Sequence, residues 1–421
     1  MIRLAIVARV SAPYRVHQHL RIARELGDDV ELHSAFLFDR NNLPWEQELP
    51  KEIRPVQFGV GETVQMSFDP TIWLAERAKM KRVISWLEQN RIDAVFTVGY
   101  THPGHPALFR WCRRRGIPNF LYGDSNIHGD RARGIRRWVK RRYMRWVAAR
   151  VTAVLPHSIY GKQYYESYAG ADMPMFYVPQ EPEYARIFNL TAEQRLAAQR
   201  KFGLRDDRRY LLYSGRLAAV KRIDTLIDAF ARIAVDNPEW DLLIVGTGPL
   251  EQQLRDRVPT SLRDRVVWTG FVNDSNDIAA INACASVFVL PSSYEPWALV
   301  IPEAAAAGLP IVASRVVGAT GELVRDGVNG KLFTPGDVDQ LTAALREVVA
   351  SDDRLESYSQ ESLNVLDDWR RRGDPIQGVR QALAFAGLLP APAPMGEPSP
   401  PTPALPAWRR LSQMRQEANS S

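Results

Sequence analysis

The 421-residue chain has only two cysteines, Cys112 and Cys284, far apart in sequence. Two such thiols make neither a disulfide framework nor a metal-ligand spacing, and they fit a reducing compartment. Long apolar runs are also missing. No stretch approaches the roughly 20 apolar residues of a membrane span. The apolar start MIRLAIVARV meets Arg9 too early for a secretory leader. These absences predict a cytoplasmic protein that is at most peripheral on the inner face of the cell membrane. Charge is present but uneven. The net charge is +6, yet residues 1–178 hold 27 Lys/Arg against 17 Asp/Glu. The first half is therefore +10 and the remainder −4. That asymmetry points to an anionic partner for the first half.

Short apolar runs alternate with helical patterns along most of the chain. In the first half they are Leu4–Ala8, Val30–Phe36, Ala94–Val98, Asn119–Tyr122 and Thr152–Leu155. In the second they are Tyr210–Tyr213, Leu242–Val245, Val266–Trp268, Val287–Leu290 and Ile311–Ala313. They do not alternate apolar with polar, as strands buried on both faces of a parallel sheet do not. Two rounds of strand–helix alternation predict α/β architecture with two doubly wound Rossmann-like domains, residues 1–180 and 190–368. The break falls near Val178–Ile187, where Pro179 and Pro182 interrupt the pattern. Eight prolines from Pro390 to Pro406 predict an extended, disordered tail over 389–421, with a basic piece at Trp408–Arg415.

Four features of the second half converge on a phosphorylated ligand. Ser214-Gly215-Arg216 follows a strand, with Lys221 five residues on. Gly215 lets the backbone approach a ligand. Arg216 and Lys221 can flank a diphosphate, or simply decorate a solvated turn. Gly246-Thr247-Gly248-Pro249 links a strand to a helix, which suits a phosphate or sugar but also tight packing. Thr269-Gly270-Phe271-Val272 is a loop at the carboxyl edge of a sheet, where ligand crevices form. Glu295 lies on the loop before a helix predicted over Ala298–Ala307, whose N–H groups from Ala298 to Ile301 make an anion site. Glu303 lies one to two turns in, about 80° around the helix from Glu295. The two carboxylates need not share a task, and Glu303 can equally be a surface residue.

These residues carry a resemblance. SGRLAAVKRIDTLIDAF, LLIVGTGPL, WTGFV and YEPWALVIPEAAAAGLPIVAS resemble the donor domain of family 4 of the glycosyltransferases, of GT-B architecture. The resemblance covers residues 210–332 specifically and the first half diffusely. It implies two Rossmann-like domains facing across a cleft, and a helix near Trp369–Ala386 that crosses back onto the first. It implies retaining transfer from a UDP-, GDP- or ADP-linked sugar, with no cofactor and no obligatory metal. Arg216 and Lys221 would neutralise the diphosphate, with Gly215 and Gly248 letting it approach. Phe271 and Val272 would hold the base through their backbone, and Glu295 the sugar hydroxyls. The amides of Leu299 and Val300 would bind phosphate, and Glu303 the ribose. Two departures stand out. Trp297-Ala298 replaces the family's usual Phe-Gly. Pro179-Gln180-Glu181-Pro182 stands where the family has Asn-Gly-Val-Asp.

The first half would take the acceptor. Tyr14 and Arg15, on the loop after the first strand, are candidate acceptor contacts or ordinary loop residues. His102 matches a histidine that the family aims at the donor sugar, and a structural histidine is equally open. Asp124 is a weaker candidate. Residues 131–150 hold nine Lys/Arg and no acid. Their aromatic and aliphatic residues at spacings of three and four make a basic amphipathic helix suited to anionic lipid. Arg137, Trp138, Arg141, Arg142, Arg145 and Trp146 are its candidate membrane contacts. A core-packed helix with a solvated basic face is the alternative. Nucleic acid is not expected, because no binding fold accompanies the charge. The expected activity is transfer of a sugar to a glycan or lipid-linked acceptor in cell-envelope synthesis. The alternatives are a soluble sugar-phosphate synthase or phosphorylase, and a non-catalytic membrane or nucleic-acid binding module. Oligomeric state is not legible.

Overall fold

The structure, a computed structural model, describes residues 1–38, 49–62 and 70–391. The predicted proline-rich tail, with Trp408–Arg415, lies outside the described residues from 392 onward. The chain forms two compact units that divide at Glu181/Pro182, and the chain returns to the first unit at Gly373.

The first unit carries strands β1 (Ile2–Ala8), β2 (Val30–Phe36), β3 (Pro55–Gln57), β4 (Ala94–Val98), β5 (Asn119–Gly123) and β6 (Ala153–Pro156). All pair in parallel in the order β3-β2-β1-β4-β5-β6. The second carries β7 (Arg209–Ser214), β8 (Trp240–Val245), β9 (Val266–Gly270), β10 (Val287–Leu290), β11 (Ile311–Ser314) and β12 (Gly330–Phe333). Its order is β12-β11-β10-β7-β8-β9, again parallel. Counted within each unit, both sheets read 3-2-1-4-5-6, the doubly wound order. Each therefore has a switch point, between β1 and β4 and between β7 and β10. At the carboxyl edge there, loops diverge to opposite faces and leave a crevice.

The central strands were legible because they are buried on both faces; Val287, Phe288, Val289 and Leu290 are all fully buried. The edge strands β3 and β12 were not foreseen. They have three and four residues and stay partly exposed, so they lack an apolar run.

The predicted crossing helix needs correction. The helix Asp352–Arg372 stays with the second unit, where Trp369 is buried against Trp297 with ring centroids 5.6 Å apart. Gly373 and Pro375 end it, since the residue before a proline avoids helical geometry. A separate helix, Pro375–Phe385, is capped by Asp374, whose side chain accepts from the Ile376 N–H. It alone reaches the first unit's core, through Ile376, Val379, Ala382 and Leu383.

Candidate active site

In the second unit, the loops after β7, β8 and β9 are laced together by their backbones. Gly215 N–H donates to Val245 O, Leu217 N–H to Thr247 O, and Gly246 N–H to Gly270 O. Glycine is required where they touch. A Cβ on Gly246, which has φ +124°, would lie 2.2 Å from Gly215 O. One on Gly248 would lie 2.3 Å from Leu217 O. The two glycine motifs read separately in the sequence are thus one stacked surface. Gly248 packs against the loop after β7, whatever ligand the surface takes.

On the other side of the switch point, the loop after β10 carries Glu295. Its carboxylate oxygen Oε1 pairs with Lys221 Nζ and accepts from Ser292 Oγ at 2.8 Å. Glu295 is only 8% exposed and Lys221 is half-buried. Ser293 N–H donates to Val220 O at 2.8 Å, which ties the two loops together beside that pair. Tyr213 lies beneath, donating to Arg216 O at 3.1 Å. Its phenol is raised well above its ordinary range by burial and by the Glu295 charge. The Arg216 side chain is exposed and makes no hydrogen bond or ion pair among the described residues. Lys221 and Glu295 are 74 residues apart, and the topology alone brings them together. Ser292 and Tyr213 were missed in the sequence, because a serine in a loop and a tyrosine in a strand give no signal.

The helix after Glu295 is shorter than predicted. It spans Val300–Ala306, and the Ile301 N–H is already taken by Ala298 O at 3.1 Å. The free donors at this end are the N–H groups of Leu299 and Val300. They are presented by a turn in which Ala298 has φ +84°, a left-handed conformation that alanine adopts at a cost. This explains the glycine usual there in the resembled family. Gly318 holds the turn from behind: its N–H donates to Glu295 O, and a Cβ there would lie 2.0 Å from Pro296 O. Glu303 is half-buried among apolar neighbours, and burial raises its carboxyl to about 7. Phe271 is exposed beyond β9, and Val272 packs against the core.

In the first unit, His102 follows β4 but is buried, with both ring nitrogens engaged. Nδ1 accepts the Gly104 N–H at 3.0 Å, so the proton sits on Nε2 and is donated to Glu76 Oε2 at 2.7 Å. Glu76 also takes Lys79 Nζ at 3.0 Å. Burial alone would raise Glu76, but hydrogen bonds from His102 and Lys79 outweigh it and hold the carboxyl low. The ring of His102 therefore offers no free nitrogen to a sugar in this arrangement, against the sequence expectation. Glu76 and Lys79 lie on the helix Pro70–Gln89 and carried no motif. Tyr14 and Arg15 open the helix Pro13–Glu25 beside the β1–β4 switch point.

The basic helix spans Gly134–Ala148 and its apolar stripe is split. Ile135, Trp138 and Val139 are 71%, 56% and 54% exposed. Arg141, Arg142 and Arg145 are exposed beside them, and Arg142 lies over the Trp138 ring at 5.2 Å. Two predicted membrane contacts are instead engaged by the unit's own side chains. Trp146 stacks on Tyr143 at 6.0 Å and is flanked by Arg150 and Arg110 at 4.1 and 4.9 Å. Arg137 is held by Asp130 at 3.4 Å and lies over Tyr168. Both positions belong to the unit's own aromatic cluster, which the helix needs for packing.

Two doubly wound parallel sheets of this order define the GT-B architecture, and solved structures agree. The structure of Anabaena HepE in complex with UDP and glucose has a TM-score of 0.69 at 18% identity, covering 92% of this chain and all of that one. WaaG, a glycosyltransferase involved in lipopolysaccharide biosynthesis, has a TM-score of 0.66 at 16% identity, covering 91% and 100%. At these identities the likeness concerns the fold. Residues 194–364 match the model of the glycosyl transferases group 1. An uncharacterized glycosyltransferase of Methanocaldococcus jannaschii is 34% identical over 163 residues, 38% of this chain and 41% of the relative. The chain thus spans less than half the length of such relatives, and the family-model match lies in the second unit.

Proposed function

We propose that the protein transfers a sugar from a nucleotide-sugar donor to an acceptor, with retention of configuration and without an obligatory metal. The observation that carries this reading is the Lys221–Glu295 pair. It sits at the switch point of a unit whose sequence matches group 1 glycosyl transferases. Binding of UDP and glucose by HepE, a protein of the same fold, supports a nucleotide-sugar donor. The diphosphate would lie on the glycine surface of Gly215 and Gly248, with Arg216 and Lys221 neutralising the charge that grows as the bond from the sugar's anomeric carbon to the diphosphate breaks. The Leu299 and Val300 amides would hold a phosphate. Glu295 would bind sugar hydroxyls, Glu303 the ribose, and the Phe271–Val272 backbone the base. The acceptor oxygen attacks the same anomeric carbon, and its proton passes to the departing diphosphate. The two cations do the work a metal would otherwise do, so turnover in chelator should match turnover without it.

The acceptor side belongs to the first unit, through Tyr14 and Arg15. His102 is there a positioning residue, fixed by Glu76. The exposed Ile135, Trp138 and Val139, bordered by Arg141, Arg142 and Arg145, favour work at an anionic membrane face on a lipid-linked or envelope glycan. No helix among the described residues is long and apolar enough to cross a membrane. The test is a screen of UDP-, GDP- and ADP-sugars for nucleotide release. One donor should be turned over and Arg216→Ala should suppress it. If no nucleotide sugar binds or reacts, the reading is wrong.

A further inference from the structure

We infer that the first unit contains a binding site for an oxyanion of the phosphate-ester type, built by Arg15 and His157, and that it receives an anionic group of the acceptor. This names the acceptor class of the transfer proposed above and rests on that reading.

Arg15 is the first observation. It is 8% exposed, and its Nε and Nη1 have no hydrogen-bond partner. A guanidinium has five donors and stays charged. Burying it unpaired is costly unless something else supplies the counter-charge. Its neighbour on the same helix behaves differently. Arg21 pairs with Glu25, Glu181 and Asp374. Carboxylates are thus within reach of this helix, yet none pairs with Arg15 among the described residues. The contact recorded for the Arg15 guanidinium is the Tyr14 ring, at 5.7 Å.

His157 is the second, independent observation. It follows β6, is 3% exposed, and neither ring nitrogen has a partner. Its ring lies edge-on to Tyr122, with centroids 4.8 Å apart. Tyr122 donates to Gln18 Oε1 at 2.6 Å, and Gln18 Nε2 donates to Pro179 O at 2.9 Å. Gln18 stands three residues from Arg15, on the same face of the helix Pro13–Glu25. Tyr122 and Gln18 therefore bring the end of β6 against the first turn of that helix. Arg15 and Asp124 both act electrostatically on His157, which places the three groups in one neighbourhood. Asp124 is exposed at its rim and forms no ion pair among the described residues.

The unsatisfied groups select the ligand. Two unpartnered guanidinium donors and an unpartnered imidazole lie in this neighbourhood, near a helix N-terminus where the Tyr14 N–H makes no hydrogen bond. A neutral hydroxyl would satisfy one of these groups and leave the guanidinium charge uncompensated. A tetrahedral oxyanion offers enough oxygens for all, including two for a bidentate arginine. The excess of basic residues in this half of the sequence agrees in sign.

The probe is inorganic phosphate, titrated against the full chain by calorimetry at constant ionic strength. The Arg216→Ala background weakens binding by the donor loops, where Lys221 and the Leu299 and Val300 amides remain, so the site is read from the change that Arg15→Gln and His157→Asn make within that background. Saturable binding is expected, weakened at least tenfold by Arg15→Gln and several-fold by His157→Asn. Unchanged phosphate affinity in both variants overturns the site. If Arg15→Gln fails to fold, His157→Asn decides alone, and unchanged affinity there has the same meaning. Competition then separates the sources. Displacement of phosphate by a hexose 6-phosphate supports a soluble phosphorylated acceptor. Displacement by vesicles of phosphatidylinositol in phosphatidylcholine, but not of phosphatidylcholine alone, supports a lipid one. Phosphate displaced by neither is an adventitious ion only, and the inference falls. Loss of this site with donor turnover intact would remove the inference alone. Absence of donor turnover would remove the proposed function and leave phosphate binding separately measured.

Discussion

Arg216 and Lys221 sit on one loop, but replacing them has different consequences. Arg216 is exposed and unpartnered, so Arg216→Ala should change unfolding free energy by less than about 0.5 kcal/mol. Its loss of a cation at the leaving group should cut turnover roughly 100- to 1,000-fold. Lys221→Ala should lose as much activity and, in addition, about 1–3 kcal/mol of stability, because it strips the cation from buried Glu295. The Lys221→Ala/Glu295→Gln double variant should regain stability without regaining turnover. Denaturant titration beside steady-state kinetics checks this, and equal destabilisation of single and double variants would disprove the pairing. Ala298 makes a second case. Its φ of +84° strains alanine and not glycine. Ala298→Gly should raise stability by about 0.5–1 kcal/mol even though glycine loosens the unfolded chain. A loss on denaturation would show that the turn is not strained. Glu303 makes a third. Burial raises its carboxyl to about 7, so the folded protein holds a proton that the unfolded chain releases at about 4.5. Its contribution to stability is therefore present below pH 4.5 and is lost as pH rises through 7, by at most about 3 kcal/mol. In the proposed role ribose hydroxyls would donate to the ionised form, so nucleotide affinity should rise from pH 6 to pH 8, and Glu303→Gln should flatten both trends.

At the scale of elements, the helix Gly134–Ala148 shows how one sequence pattern can divide between a packed half and an exposed half. Met144 and Val147 anchor its second half in the core, and Tyr143 donates to Tyr100 O at 2.8 Å. Its first half leaves Ile135, Trp138 and Val139 in solvent. Trp138→Ser with Val139→Ser should abolish flotation on phosphatidylglycerol vesicles at low salt without moving the melting temperature. Trp146→Ser should instead lower the melting temperature. If the double variant floats as well as the parent, the exposed patch is not a membrane contact. Periodicity could not divide this stripe, since it records that a face is apolar and not what covers it. The same limit explains the rest of the sequence reading. Core strands such as Val287–Leu290 were legible because burial on both faces leaves a continuous apolar run. The donor loops were legible because glycines, Arg216, Lys221 and Glu295 sit in short local motifs. The Glu76–His102 contact was not, because it joins residues 26 apart on different elements. His157 was not, because a single histidine after a strand carries no pattern until the fold sets Arg15 near it.

Among the described residues each unit is packed on its own, and one of the first unit's apolar clusters depends on a helix that follows the second unit. The first unit's sheet is complete by Pro156, yet its core includes Ile376, Val379, Ala382 and Leu383, which follow the entire second unit. The helix that bears them docks closely. A Cβ on Gly378 would lie 1.8 Å from Tyr177 O, and Arg380 reaches Asp29 at 3.3 Å. Four buried aliphatic side chains, at about 1–2 kcal/mol each, amount to much of the 5–15 kcal/mol that holds a domain of this size folded. A chain ending at Arg372 should therefore lose the cooperative unfolding of its first unit and keep that of its second. Calorimetry should show one transition where the intact protein shows more, and hydrogen exchange should rise in β1 and β5 but not in β7 and β8. The shortened chain should still bind nucleotide, because Gly215, Lys221, Glu295, Leu299 and Glu303 all lie in the surviving unit. Gly378→Val should reproduce the loss without deleting a residue. If the truncated first unit remains protected from exchange, the C-terminal helix is an accessory and the first core closes without it.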